Sequence, residues 1–187
     1  MRKGIIIVDC QYDFINGTLP VPNAESKMHK LGYFLHKHDK DYLVKMLTMD
    51  WHPLNHCSFK YNGGQWPIHC VQHSKGAAIY EHVLEAVYET SGDNMFLFKG
   101  TEPGKEEYSI FDLGLASEAI QNAVKKYKLD KIDICGIAGD VCVLNTLKDG
   151  IKILGKDKFT LLEDFSPSID GGKTLSSFAK SEGIEIA

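Results

Sequence analysis

The 187-residue sequence has no apolar run near the roughly 18 residues that a membrane-spanning helix needs. The first apolar stretch, in "MRKGIIIVDC", is only about five residues long before Asp9, short of the roughly 7–15 of a secretory leader's core. Lysine and arginine are spread along the chain and the net charge is −4. No basic block is present to hold nucleic acid or an anionic membrane surface. Cysteine is scarce: Cys10, Cys57, Cys70, Cys135 and Cys142 are an odd number without paired spacing. That argues against a disulfide framework and for a reducing cytoplasm. Repeats, low-complexity tracts and linkers are also lacking, so residues 1–187 are expected to form one domain.

What is present is alternation. "KGIIIVDC", "DYLVKMLTMD", "NMFLFKG", "KIDICGIAG" and "KFTLLED" are short runs rich in β-branched and apolar residues, the pattern of buried strands, with "IEIA" as a sixth. Between them lie segments of helical period. Met28, Leu31, Phe34 and Leu35 share one face, and Ala116, Ile120, Ala123 and Tyr127 share another. "AAIYEHVLEAVYE", "DVCVLNTLKDGIKIL" and "GKTLSSFAKSE" complete the helices, with Asp140 expected as an N-cap. Strand–helix alternation predicts right-handed crossovers and an α/β fold, a mostly parallel sheet with helices on both faces. Ligands of such sheets sit beyond the carboxyl ends of the strands.

Polar residues gather at those ends. Asp9 closes the first strand, Asp50 the second and Lys99 the third, while "GIAGDVCV" leaves the fourth. A carboxylate can take a thiol proton and return it to a leaving amine. An ammonium and a helix N-terminus are expected to lower the pKa of the Cys142 thiol. Singly, each residue has a plainer use, as a turn, a surface charge or a packed thiol. Convergence on one edge favours chemistry.

Residues 51–75 read as a long irregular loop, a kind that usually carries function. It begins with "DWHPLNH" and continues to "GQWPIHC". Asp50, His52 and His69 supply a carboxylate and two imidazoles, a recurrent metal-ligand set, and His56 is a further candidate. Trp51 and Trp66 are placed to wall a pocket for a flat ring. His29, His36 and His38 read as a solvated helix face.

Five segments, "VDCQYDF", "DWHPLNHCSF", "GQWPIHCV", "FKGTEPGKEEYSIF" and "GIAGDVCV", together resemble the nicotinamidase/pyrazinamidase branch of the isochorismatase-like hydrolases. The resemblance spans nearly the whole chain. It implies a six-stranded three-layer α/β sandwich and hydrolysis of nicotinamide to nicotinate and ammonia through a cysteine thioester, in NAD salvage, with pyrazinamide as a second substrate. Asp9, Lys99 and Cys142 match the catalytic triad. Asp50, His52 and His69 match the ligands of one divalent ion, zinc, with iron or manganese as alternatives. Phe14, Trp66 and Tyr108 match the pocket aromatics. Ala138 and Cys142 match the oxyanion donors, and Ile137–Ala138 the family's cis peptide. Relatives often form homo-oligomers; neither nucleic acid nor membrane is implied as a partner.

Two departures stand out. Gly139 occupies a position where the family often has threonine. Cys10 follows Asp9 where an apolar residue is common, and a second thiol beside the site would make the enzyme sensitive to oxidation. Two other readings are a cysteine hydrolase acting on carbamoyl or ureido groups, and a non-catalytic metal-binding or redox-responsive protein. The metal set and the ring-facing aromatics weigh against the former, the intact triad against the latter.

Overall fold

The computed structural model describes residues 1–187 and follows the alternation closely. The chain runs β1 (Lys3–Val8), α1 (Tyr12–Ile15), α2 (Ala24–Lys37), β2 (Tyr42–Asp50), α3 (Glu81–Glu89) and β3 (Asp93–Lys99). It continues through α4 (Gly114–Tyr127), β4 (Lys131–Gly136), α5 (Leu144–Leu154), β5 (Phe159–Leu161), α6 (Lys173–Glu182) and β6 (Glu185–Ile186). The sheet order is β3-β2-β1-β4-β5-β6, and every neighbouring pair is parallel. A sheet buried on both faces needs strands that are apolar on both sides, which the buried Ile5–Val8 run provides. No helix is long and apolar enough to cross a membrane.

Each face of the sheet carries its own core. Met28, Leu31 and Leu35 of α2 and Val83, Ala86 and Val87 of α3 cover one face, against Ile5, Ile7 and Cys135. Ala116, Ile120 and Ala123 of α4, Leu147 of α5 and Leu175 and Ala179 of α6 cover the other, against Ile6, Val8 and Ile134. Gly32 lets α2 approach α3, because a Cβ there would lie 2.8 Å from the His82 carbonyl oxygen. His29 is half-buried in that contact, its ring 3.9 Å from that of His82, whereas His36 is exposed.

The order of the strands locates the crevice. The chain moves outward from β1 to β2 and β3, then returns to β4 on the opposite side of β1 and continues to β5 and β6. Between β1 and β4 the connections diverge, leaving an opening at the strands' carboxyl ends. Asp9 follows β1 there, and the loop after β4 begins there at Ile137.

One element differs from expectation. Asp140 does not cap α5. Gly139–Val143 instead form a wide π-type turn leading into α5, with the Val143 N–H bonded to the Ala138 carbonyl five residues earlier. The Asp140 carboxylate turns away and accepts from the backbone N–H groups of Ile169 and Asp170, at 2.9 and 3.0 Å. The competing backbone donors of 169–170 lie far off in sequence, so local capping rules could not weigh them.

Candidate active site

Strand ends line the floor of the crevice. Asp9 is fully buried and adopts φ 47°, a left-handed conformation uncommon for a non-glycine residue. Thr48 of the adjacent strand fixes it: the Asp9 N–H donates to the Thr48 carbonyl at 3.1 Å, and the Thr48 hydroxyl donates to Asp9 Oδ1 at 2.6 Å. Lys99, fully buried at the end of β3, extends its ammonium between two carboxylates. Nζ lies 2.9 Å from Asp9 Oδ2 and donates to Asp50 Oδ1. It is also 3.6 Å from Cys142 Sγ. The Lys99–Asp9 contact is an ion pair between two fully buried groups.

These charges set one another's protonation. Burial would raise the Asp50 carboxyl, but Lys99, then His52 and His69, outweigh it and hold it well below the usual range. Burial would likewise depress the Lys99 ammonium, yet Asp50 and Asp9 push it well above its ordinary value. Asp9 is raised by its complete burial in spite of Lys99. For Cys142 burial wins outright: the thiol is pushed up although Lys99 pulls it down. The sequence argument for a lowered thiol pKa is therefore corrected. A raised thiol pKa favours the protonated form, which calls for a base beside Cys142.

Asp50 joins this cluster to a second one. Its Oδ1 faces Lys99, while Oδ2 faces His52 Nε2 at 3.6 Å and His69 Nε2 at 3.9 Å. Each imidazole has its other nitrogen committed to a backbone carbonyl, His52 Nδ1 to Gly100 at 2.9 Å and His69 Nδ1 to Pro67 at 2.8 Å. Because a carbonyl only accepts, Nδ1 carries a proton in each ring, and both Nε2 atoms turn toward Asp50 Oδ2. One ligand atom from each of the three residues lies within 4.8 Å of the others, and all three are buried. A carboxylate oxygen and two convergent, correctly tautomeric imidazoles fit one divalent metal ion. Asp9, Asp50 and Cys142 are equally close together, but the Lys99 ammonium already stands among them and takes the place of a cation.

His56 does not join the ligands. Its Nδ1 accepts from the Ser58 N–H at 3.2 Å and its Nε2 donates to the Lys105 carbonyl at 3.0 Å, so neither nitrogen is free. The ring instead stacks on His52, centroids 4.1 Å apart at 29°.

A small, largely apolar pocket opens over both clusters. Phe14 and Trp66 line it with Tyr108, whose hydroxyl accepts from the Trp66 indole N–H at 3.2 Å. Trp51 does not line it; it packs on Phe98 and His73, each ring 5.2 Å away. Leu19, Val21 and Ile169 complete the apolar wall, and no short-range pattern marked them.

The loop after β4 carries the remaining polar groups. Gly136 has φ 126°, and any Cβ there would run into the Val8 backbone. The Ile137–Ala138 peptide is cis. The Ala138 N–H makes no hydrogen bond within the protein and borders the pocket beside Cys142. Gly139 has a local reason: a Cβ would sit 2.8 Å from the Ser166 carbonyl and closer still to the Ser168 hydroxyl. Threonine at this place should therefore destabilise this chain. Gly139→Thr is expected to cost about 1–3 kcal/mol in urea unfolding, the usual range for overpacking a tight site. An unchanged midpoint would mean the 166–168 segment yields freely.

Gln11 and Asp13 support the site from "VDCQYDF". The Gln11 side chain, fully buried, accepts from the Asp50 N–H and donates to the Asp50 carbonyl, clamping that residue's backbone. Asp13 accepts from the Cys70 N–H at 2.7 Å, next to His69. The expected oxidation sensitivity of Cys10 finds no support, because the thiol is 2% exposed and burial pushes its pKa well above the ordinary value. Cys10→Ala is expected to leave the rate of inactivation by hydrogen peroxide unchanged; a severalfold slower loss would restore the thiol as a target.

No protein-family model matches the chain. A solved structure of the pyrazinamidase of Pyrococcus horikoshii in complex with zinc is 33% identical, with TM-score 0.83, covering all of this chain and 99% of that one. The structure of PnC1 from L. infantum in complex with nicotinate is 28% identical with TM-score 0.84, over all of this chain and 92% of that one. The nicotinamidase of Saccharomyces cerevisiae is 27% identical over 96% of this chain and 94% of its own length. One-third identity over the full length, in the same fold, settles membership: the chain belongs to the nicotinamidase/pyrazinamidase family of isochorismatase-like hydrolases.

Proposed function

We propose that this protein hydrolyses nicotinamide to nicotinate and ammonia, accepts pyrazinamide, and returns nicotinamide to NAD synthesis. One observation carries the reading. A thiol, a buried base and an ammonium share a single carboxylate, Asp50, with a metal-ligand set, beneath a pocket walled by Phe14 and Trp66. That combination suits a flat heteroaromatic carboxamide: an apolar slot for the ring and a nucleophile for the amide carbon.

Asp9 takes the Cys142 proton on Oδ2 as Sγ bonds to the carboxamide carbon. The resulting oxyanion lies against the N–H groups of Ala138 and Cys142. Asp9 then gives the proton to the amide nitrogen, the C–N bond breaks, and ammonia leaves a thioester. Water attacks that carbon after losing a proton to Asp9, the C–S bond breaks, and Cys142 recovers its proton. Lys99 stays charged throughout and steadies the thiolate and both carboxylates. Asp50, His52 and His69 would hold one divalent ion, zinc with iron or manganese as alternatives. When bound, that ion supplies a Lewis acid for the pyridine nitrogen, directly or through water, and so orients the ring.

Ammonia release from nicotinamide by the metal-loaded, reduced protein tests the reading. Release at a rate well above that from carbamoyl and ureido compounds is expected. Release only from the latter would replace the substrate assignment while keeping the nucleophile.

A further inference from the structure

Glu107 is a buried carboxylate that the chemistry above does not use. It is 1% exposed, and burying a carboxylate is costly unless its partners matter. Its partners are at the end of β3. Oε2 accepts from the Gly100 N–H at 2.8 Å, and the residue's own carbonyl accepts from Lys99 Nζ at 3.4 Å. Oε1 lies 2.6 Å from the half-exposed Lys105 ammonium. Residue 107 therefore grips two consecutive residues, Lys99 and Gly100. Gly100 in turn supplies the carbonyl that receives His52 Nδ1–H. Gly100 has φ 62°, and a Cβ there would collide with the His52 ring, so the backbone is pressed directly against the imidazole. His56 stacks on the face of the His52 ring and donates to the Lys105 carbonyl, two residues before Glu107.

We propose that Glu107 is a positioning residue for the metal centre: by holding Gly100 it fixes the orientation and tautomer of His52, so that Nε2 is presented for coordination. His56, stacked on the ring, adds a second contact to the brace. The inference rests on the reading of Asp50, His52 and His69 as the metal-binding set. The carboxylate acts as a hydrogen-bond acceptor, so glutamine can replace it in the same shape. Alanine cannot, and it leaves the Gly100 N–H buried without a partner.

The test measures zinc affinity by chelator competition in the full-length protein, with apoprotein melting recorded in parallel. Parent protein is expected to bind one zinc, and Glu107→Ala to bind about 10–100-fold more weakly, the usual effect of losing such a supporting partner. Glu107→Gln is expected to stay within about threefold of the parent. The His52 Nδ1–H signal in a ¹H–¹⁵N spectrum should survive in the glutamine variant and be lost to exchange in the alanine one. Equal zinc affinity in Glu107→Ala, with only a lower melting temperature, overturns the proposal, as does a tenfold or greater loss in Glu107→Gln. If Glu107→Ala does not fold, Glu107→Ser, too short to reach Gly100, takes its place with the same expectations. A parent that binds no zinc, iron or manganese would refute the metal reading itself, a result distinct from a failed brace.

Discussion

Cys142→Ala is expected to lower kcat for nicotinamide by about 10⁴-fold or more, the scale on which removal of a covalent nucleophile acts. Zinc affinity should be unchanged, because Cys142 lies outside the Asp50, His52 and His69 set. The protein should also remain folded: the side chain is small, and its loss leaves the Lys99 ammonium its Asp9 and Asp50 partners. Asp9→Asn should cost a similar factor, since the thiol is held protonated by burial and its proton must be taken by a neighbour. Because the two residues perform one proton transfer, the double variant should be scarcely worse than either single one. Steady-state ammonia release and a rapid-quench search for an acylated protein would measure both. Residual activity within tenfold of the parent in Cys142→Ala would remove the thioester route and leave direct attack by water as the alternative.

The parts of this molecule that could be read from its sequence are those encoded by period and by strand ends. Continuous β-branched runs gave away the buried strands, and alternation with helical segments gave away the parallel sheet, because both follow from local geometry. Asp9, Asp50 and Lys99 were visible because a parallel sheet brings all its carboxyl ends to one edge. What escaped depends on contacts across large sequence gaps. The Asp140 carboxylate bonds to residues 169 and 170 rather than to its own helix. Trp51 faces Phe98 and His73, a choice made by the edge strand β3. Glu107 sits in the charged run "GKEEYSIF", where nothing local separates it from Glu106, yet it is buried and Glu106 is exposed. The thiol's protonation was misread for the same reason: burial was unknown, and burial is its largest influence.

Lys99→Met should be the most damaging substitution for stability as well as for activity. Lys99 is the only cation that contacts both Asp9 and Asp50, and all three are buried. Removing one partner from a buried ion cluster typically costs about 3–5 kcal/mol, because the remaining charges lose their compensation. Methionine fills much the same volume, so the loss is electrostatic rather than a cavity effect. The pH dependence separates the two. Without Lys99, burial and repulsion from Asp50 raise the folded pKa of Asp9 further above the unfolded value of about 3.9. The penalty is then full at pH values above that raised pKa and shrinks as pH falls through it, since protonation in the folded state removes the unpaired charge. In the parent, Asp50 behaves in the opposite sense: its folded pKa is held low, so its contribution is present above the unfolded value and fades as pH falls below it. Urea unfolding of metal-free parent and variant between pH 5 and 8 should thus show a stability gap that narrows toward the acid end. A gap independent of pH would show that Lys99 supports the fold by packing, and that the two carboxylates tolerate each other without it.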